Sequence, residues 1–160
     1  RDVYSGTLRI EGEESRNTLI AANNYANSFN ELERNQEARA VLRKTIPVAR
    51  RVLGENDLLT LKLRKIYARA LHEDASATLD DLREAVTTLE ETTRIARRVF
   101  GGAHPFTEGI EDDLERSRAA RELPEAEKLA QDAFRTARAK IAQERAELAD
   151  AMAAMTTGDA

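Results

Sequence analysis

Two histidines, two adjacent aspartate pairs, one double glycine and the cations Lys65 and Arg69 are the residues whose types and spacing could do chemistry. A histidine base needs a nucleophile to activate and a carboxylate to orient it, and neither His72 nor His104 has such company. His104 precedes Pro105 and reads as a structural turn residue, while His72 falls at the end of a helix. There is no cysteine, so thiol nucleophiles, disulfides and thiolate zinc sites are excluded. A transition-metal site built on two histidines would need carboxylates gathered from distant turns, and no pattern gathers them. Asp80-Asp81 and Asp112-Asp113 stand at helix starts or early turns, where negative charge offsets the helix dipole. Paired catalytic carboxylates converge across a cleft, whereas neighbours in a helix point apart. Gly101-Gly102 is a turn without the Gly-Lys-Ser/Thr of a phosphate loop. The chain is therefore read as no enzyme, with no catalytic residue, no metal ligand and no cofactor. Lys65 and Arg69 are different: at i and i+4 their charges add on one helical face. A charge so placed suits a carboxylate.

The elements that carry these residues must be helical. Among 160 residues only 4% are aromatic and tryptophan is absent, which suits closely packed helices better than strands. Charged residues make up 34% yet sum to −4, a mixed and mostly solvated surface without the basic excess of a nucleic-acid binder. No apolar run approaches the roughly 20 residues that span a bilayer, so direct membrane insertion is not expected. No signal-peptide pattern is present, although a chain that starts at Arg1 can have lost one. The lack of cysteine fits a reducing, intracellular compartment, with the cytoplasm expected.

The strongest organising signal is internal repetition. Ala49-Arg50-Arg51-Val52-Leu53-Gly54 returns as Ala96-Arg97-Arg98-Val99-Phe100-Gly101, 47 residues later (96 − 49). Glu37-Ala38 maps onto Glu84-Ala85, Leu42 onto Leu89 and Thr60 onto Thr107 at the same offset. Repetition at this period marks stacked helical hairpins, each too small to bury its own apolar face. The first repeat is predicted to have a helix over 17–32 with Leu19, Ala22, Tyr25, Ala26 and Phe29 on one face. A turn at Glu33-Arg34-Asn35 and a second helix over 36–53 follow. Pro47 should kink that helix and Gly54 should end it. The second repeat opens a helix over 60–73 with Leu63, Ile66, Tyr67, Ala70 and Leu71 inward. A loop through Asp74-Ala75-Ser76-Ala77 makes its connection longer, and its second helix restarts near Thr78 or Leu79 and runs to Phe100. The third repeat is worn: after the turn from Gly101 to Thr107, its helix over 107–122 puts Glu115 where Ala26 and Ala68 stand, so regular packing is ending. Pro124 then suits the first turn of a new helix over 124–155. Phe134, Ile141, Leu148 and Met155 recur there every seven residues, beside Ala130, Ala137 and Ala151, with Glu144 interrupting. That stripe fits a coiled-coil partner helix or, the reading preferred here, a helix capping the last repeat.

Asn23-Asn24-Tyr25-Ala26, Glu37-Ala38 with Leu42, the closing Arg51-Val52-Leu53-Gly54 and His104-Pro105-Phe106-Thr107 together resemble tetratricopeptide (TPR) repeats. The variety is the longer one of about 42 residues found in kinesin light chains; Thr18 to Thr60 is 42 residues (60 − 18). The resemblance covers about residues 7–120. Departures are the longer connection in the second repeat, Asn56-Asp57 where the family often has His-Pro, and the worn third repeat. It implies an all-α, right-handed superhelical TPR-like solenoid of helical hairpins with a long C-terminal capping helix. Residues 1–122 hold about two and a half repeats, and residues 123–160 the C-terminal helix and a frayed tail. First helices of successive repeats would line a concave groove that takes an extended peptide or a helix of a protein partner. Carried over by position, the groove residues are Asn23 and Asn27, then Lys62, Lys65 and Arg69 with Glu73 at the rim, then Asp112 and Arg116. A basic centre flanked by amides would favour an acidic peptide or a C-terminal carboxylate. The function implied is an adaptor or scaffold; the alternative is a structural subunit fixed in a larger multiprotein assembly through its convex face or C-terminal helix.

Overall fold

A computed structural model describes the backbone of residues 3–157 and the side chains of residues 3–147. The helices are α1 (Val3–Glu11), α2 (Arg16–Glu31), α3 (Asn35–Leu53), α4 (Leu58–His72), α5 (Leu79–Phe100) and α6 (Pro105–Thr157), with no strand among the described residues. The all-α expectation holds.

Local chemistry fixes where these helices start and stop. The Ser15 side chain accepts from the Asn17 amide ahead of α2, and Asp57 accepts from the Leu59 amide ahead of α4. Each satisfies one of the amides that a helix start leaves without a partner. Thr78 and Asp81 cap α5 reciprocally, Asp81 Oδ2 accepting from the Thr78 amide at 3.0 Å and Thr78 Oγ1 accepting from the Asp81 amide at 3.1 Å. The restart of the second repeat's second helix thus falls where the sequence predicts. At the other ends, Gly54 (φ 90°, ψ 166°) and Gly101 (φ 89°, ψ 162°) stop α3 and α5 in a conformation that costs only glycine little.

The duplicated hexapeptide now has a physical account, position by position. Ala49 and Ala96 are fully buried, so the neighbouring helix can approach closely. Arg50 pairs with Glu55, and Arg97 pairs with Glu111 at 2.7 Å, each an acid further along the chain. Arg51 and Arg98 reach back to the preceding turn, Arg51 to Glu14 at 2.7 Å and Arg98 to Asn56 Oδ1 at 2.8 Å. Leu53 and Phe100 are half-buried against the core, and the glycine ends the helix. The alanine, the second arginine and the glycine act alike in both copies, while the first arginine finds its acid in the next turn in one copy and in α6 in the other.

The chain divides into two compact units between Arg121 and Glu122. The first holds the core, in which equivalent positions recur: Ala26 and Phe29 on α2 match Ala68 and Leu71 on α4, and Ala38 and Leu42 on α3 match Ala85 and Leu89 on α5, with Leu19 and Leu63 beside them. Helix α4 lies at its centre, packed on α2, α3 and α5, and so is buried almost all round. Its polar positions are correspondingly paired. Tyr67 Oη donates to Glu84 at 2.7 Å and accepts from Arg43 Nε at 3.1 Å, while buried Arg64 meets Glu91 at 2.6 Å. Burial, then the Glu84 carboxylate, pushes the Tyr67 phenol upward.

Two expectations need correction. Helix α1 was not anticipated, although Arg9-Ile10 and Gly12-Glu13 align with Arg51-Val52 and Gly54-Glu55, and Gly12 shares their positive φ (81°). No new helix begins at Pro124: α6 runs unbroken through it, because Ala119-Ala120-Arg121-Glu122 before it and Glu125-Ala126-Glu127 after it are strong helix formers. Pro47 lies inside α3, which runs to Leu53 as the sequence predicts. In the second unit Phe134 is exposed at 71% and Ile141 at 56% of full accessibility. The side chains of Leu148, Ala151 and Met155 lie outside the described residues, as does the end of the expected tail.

Candidate functional site

Helical spacing brings together most of the residues singled out for binding. Asn23 and Asn27 are one turn apart on α2, and Lys62, Ile66 and Arg69 follow i, i+4, i+7 spacing on α4, with Lys65 beside them. Since α2 packs against α4, these faces share one recess of about 230 Å³, lined by Asn23, Asn27, Lys62, Lys65, Arg69 and, at its end, Phe106. Asn24 and Ile66 complete it.

The charges in this recess are not disposed as the sequence suggests. Lys65 Nζ lies 3.4 Å from Asp113 Oδ2, and Arg116 Nη1 lies 3.2 Å from Asp113 Oδ1. Asp113 is buried, and a buried carboxylate without cationic partners would cost several kcal/mol. Arg69 forms a two-pronged pair with Glu73 at 3.3 and 3.4 Å. Lys65 and Arg69 therefore do not form a free basic centre. Lys62 is the cation of the recess that carries no partner among the described residues, and it is exposed. The amides are partly engaged. Asn27 Nδ2 donates to Glu31 at 2.7 Å, and Asn23 Nδ2 donates to Asn24 Oδ1 at 3.2 Å. Asn23 Oδ1 is shielded from solvent and accepts no hydrogen bond.

Arg116 does not line the recess; it acts on Asp113 from outside. Asp112 faces a second and larger recess, about 610 Å³, with Arg94 and Arg97 of α5. There Arg97 pairs with Glu111 at 2.7 Å, and Arg118 pairs with Glu90 at 2.9 Å and Glu115 at 3.2 Å. Its charges mostly answer one another, so size alone does not make it the better candidate.

Sequence reasoning missed Asp113 and Phe106 as parts of this site. A signal existed for the former: position 113 aligns with buried Ile66, and a carboxylate at a core position demands cations from neighbouring turns. His72 has a structural role. Its Nδ1 lies 3.0 Å from the Ala68 carbonyl and 2.9 Å from Ser117 Oγ, tying α4 to α6 within the first unit. Burial pushes its pKa below the ordinary value, against the Ala68 carbonyl, Glu73 and Asp113, which favour the charged form. Among the described residues no group of three or more His, Asp or Glu side chains could hold a metal ion, and no helix is long and apolar enough to cross a membrane.

With this geometry in place, comparison with known families is informative. The family model described as tetratricopeptide repeat matches residues 18–58, from the first turn of α2 to the first residue of α4, and supports a repeat protein of that type. Repeats of this type generally mediate protein–protein interaction. No curated protein and no solved structure matches the chain.

Proposed function

We propose that the chain is a non-enzymatic, intracellular adaptor or scaffold of the kinesin light chain-like repeat variety, a right-handed solenoid that holds a partner peptide along α2 and α4. The peptide is acidic or ends in a free carboxylate. One observation carries this reading: an exposed cation without a partner among the described residues, Lys62, lines the same recess as the amides of Asn23 and Asn27. The amides suit a peptide backbone, and the cation suits a carboxylate. Lys65 and Arg69 contribute field from partly neutralised positions.

Titration calorimetry with an acidic peptide ending in a free carboxylate tests the reading. Lys62→Glu and amidation of the peptide terminus should each weaken binding about tenfold, the scale of one charge-assisted hydrogen bond. Unchanged affinity in both cases would end the proposal. Lys62 is the cleaner probe, because reversing Lys65 would place two carboxylates beside one another at Asp113 and unsettle the core. The second reading, a structural subunit of an assembly, is favoured by the exposure of Phe134 and Ile141. It predicts that the protein recovered from cells stays bound to its assembly under conditions that dissociate peptides.

A further inference from the structure

The second unit carries an apolar seam that the groove reading leaves unused. In the helical stretch 122–147, Leu123, Ala130, Phe134, Ala137 and Ile141 follow the alternating three- and four-residue spacing of a coiled-coil contact line. All five are exposed, Leu123 at 67%. Glu127 and Glu144 also occupy the line, so the continuous seam runs from Ala130 to Ile141, about three turns. The alanines let a second helix approach closely, and the two large residues are the knobs that would seat in it.

The flanks of this seam specify who can dock. With Phe134 and Ile141 at the first position of the heptad, one flank holds Gln131, Arg138 and Arg145, and the other Ala133, Lys140 and Glu147. Elsewhere in the unit charges are answered within the helix: Arg135 pairs with Asp132 at 3.4 Å and Lys140 with Glu144 at 3.9 Å. Arg138 and Arg145 have no such partner among the described residues. A parallel second copy would set Lys140 against Arg145, and an antiparallel copy would set the Arg138–Arg145 flanks against each other. Like charges there oppose self-association. We infer that the seam from Ala130 to Ile141 is a docking surface for a single amphipathic helix of another protein, with acidic residues bordering its apolar stripe. This surface is separate from the recess between α2 and α4, and it stands or falls independently of it.

Fluorescence anisotropy with the 160-residue protein and two labelled helical probes of about four heptads tests the inference. Both probes carry leucine in the apolar stripe; one has glutamate along its flanks and the other lysine. The acidic probe should bind at least about tenfold more tightly at low salt, with the gap narrowing as salt rises. Arg138→Glu with Arg145→Glu should reverse the preference, and Phe134→Ala should weaken the acidic probe. All three positions are exposed, so these variants keep the fold. Sedimentation should show a monomer in the absence of probe. Equal affinity for the two probes, no binding of either, self-association abolished by Phe134→Ala, or preference for vesicles of anionic lipid over the acidic probe would each overturn it.

Discussion

His72 and Asn30 stand at equivalent positions of successive repeats, and both tie a first helix to the next one. Asn30 Nδ2 donates to the Ile66 carbonyl at 3.1 Å, whereas His72 meets Ser117. The histidine adds a pH dependence that the asparagine lacks. Its pKa lies below the ordinary 6.5 in the folded state, with burial as the main cause. A base held neutral by folding contributes stability that is complete above the unfolded value and is lost as pH falls toward the folded one. The melting temperature should therefore drop as pH falls below the ordinary 6.5, and the drop should shrink in His72→Asn, which copies the first repeat. Carboxylates titrate in a lower window: Asp74, held low chiefly by the Ser76 hydrogen bonds, loses its contribution only as pH falls below its ordinary 3.8. A pH profile identical in the wild type and His72→Asn would count against the structural role. At this scale the sequence was least legible. The i, i+4 spacing of Lys65 and Arg69 was visible, and so was that of Arg69 and Glu73, but the neutralisation of Lys65 by Asp113 depends on packing between helices that no local pattern reports.

Elements were far more legible, because caps and glycine stops are local chemistry. Thr78 and Asp81 announce the start of α5 in the sequence, and the structure forms both reciprocal bonds. Thr78→Ala should cost about 1 kcal/mol, measured as a lower midpoint of urea denaturation with an unchanged slope. No loss would mean that packing, not the cap, sets the helix start. What misled at this scale was proline. Pro124 signals a helix start, yet α6 passes through it, since a run of alanine, arginine and glutamate on both sides outweighs one lost hydrogen bond. Helix α1 was overlooked for the opposite reason: its match to the hexapeptide is reduced to Arg9-Ile10 and Gly12, too little to stand out without the φ of Gly12.

Across the first unit as a whole, repetition does the work of a single large core and then stops. Leu61, Ala68 and Leu71 of α4 are fully buried, but the equivalent residues of α6 are Glu108, Glu115 and Arg118, of which Glu108 and Glu115 are exposed. Charge on an outer face is how a repeat stack is ended without leaving an adhesive surface. Exchanging alanine and glutamate should thus matter at one of these equivalent positions and not at the other. Ala68→Glu should destabilise by several kcal/mol or prevent folding, by burying an unpaired carboxylate. Glu115→Ala should stay within about 0.5 kcal/mol of the parent, read by thermal denaturation of both variants. The stacking itself was written in the 47-residue offset, and its fading in Glu115; the unbroken course of α6 was not.

The central claim is that first helices of adjacent repeats meet in a recess that receives a peptide. Two-dimensional NMR of the protein titrated with an acidic peptide ending in a free carboxylate tests it most directly. The account predicts saturable shifts concentrated at Asn23, Asn27, Lys62, Lys65, Arg69 and Phe106, with Lys62→Glu raising the peptide concentration needed for saturation about tenfold. Shifts confined to Arg94 and Asp112 or to residues 126–147, or the absence of any saturable shift, would contradict it.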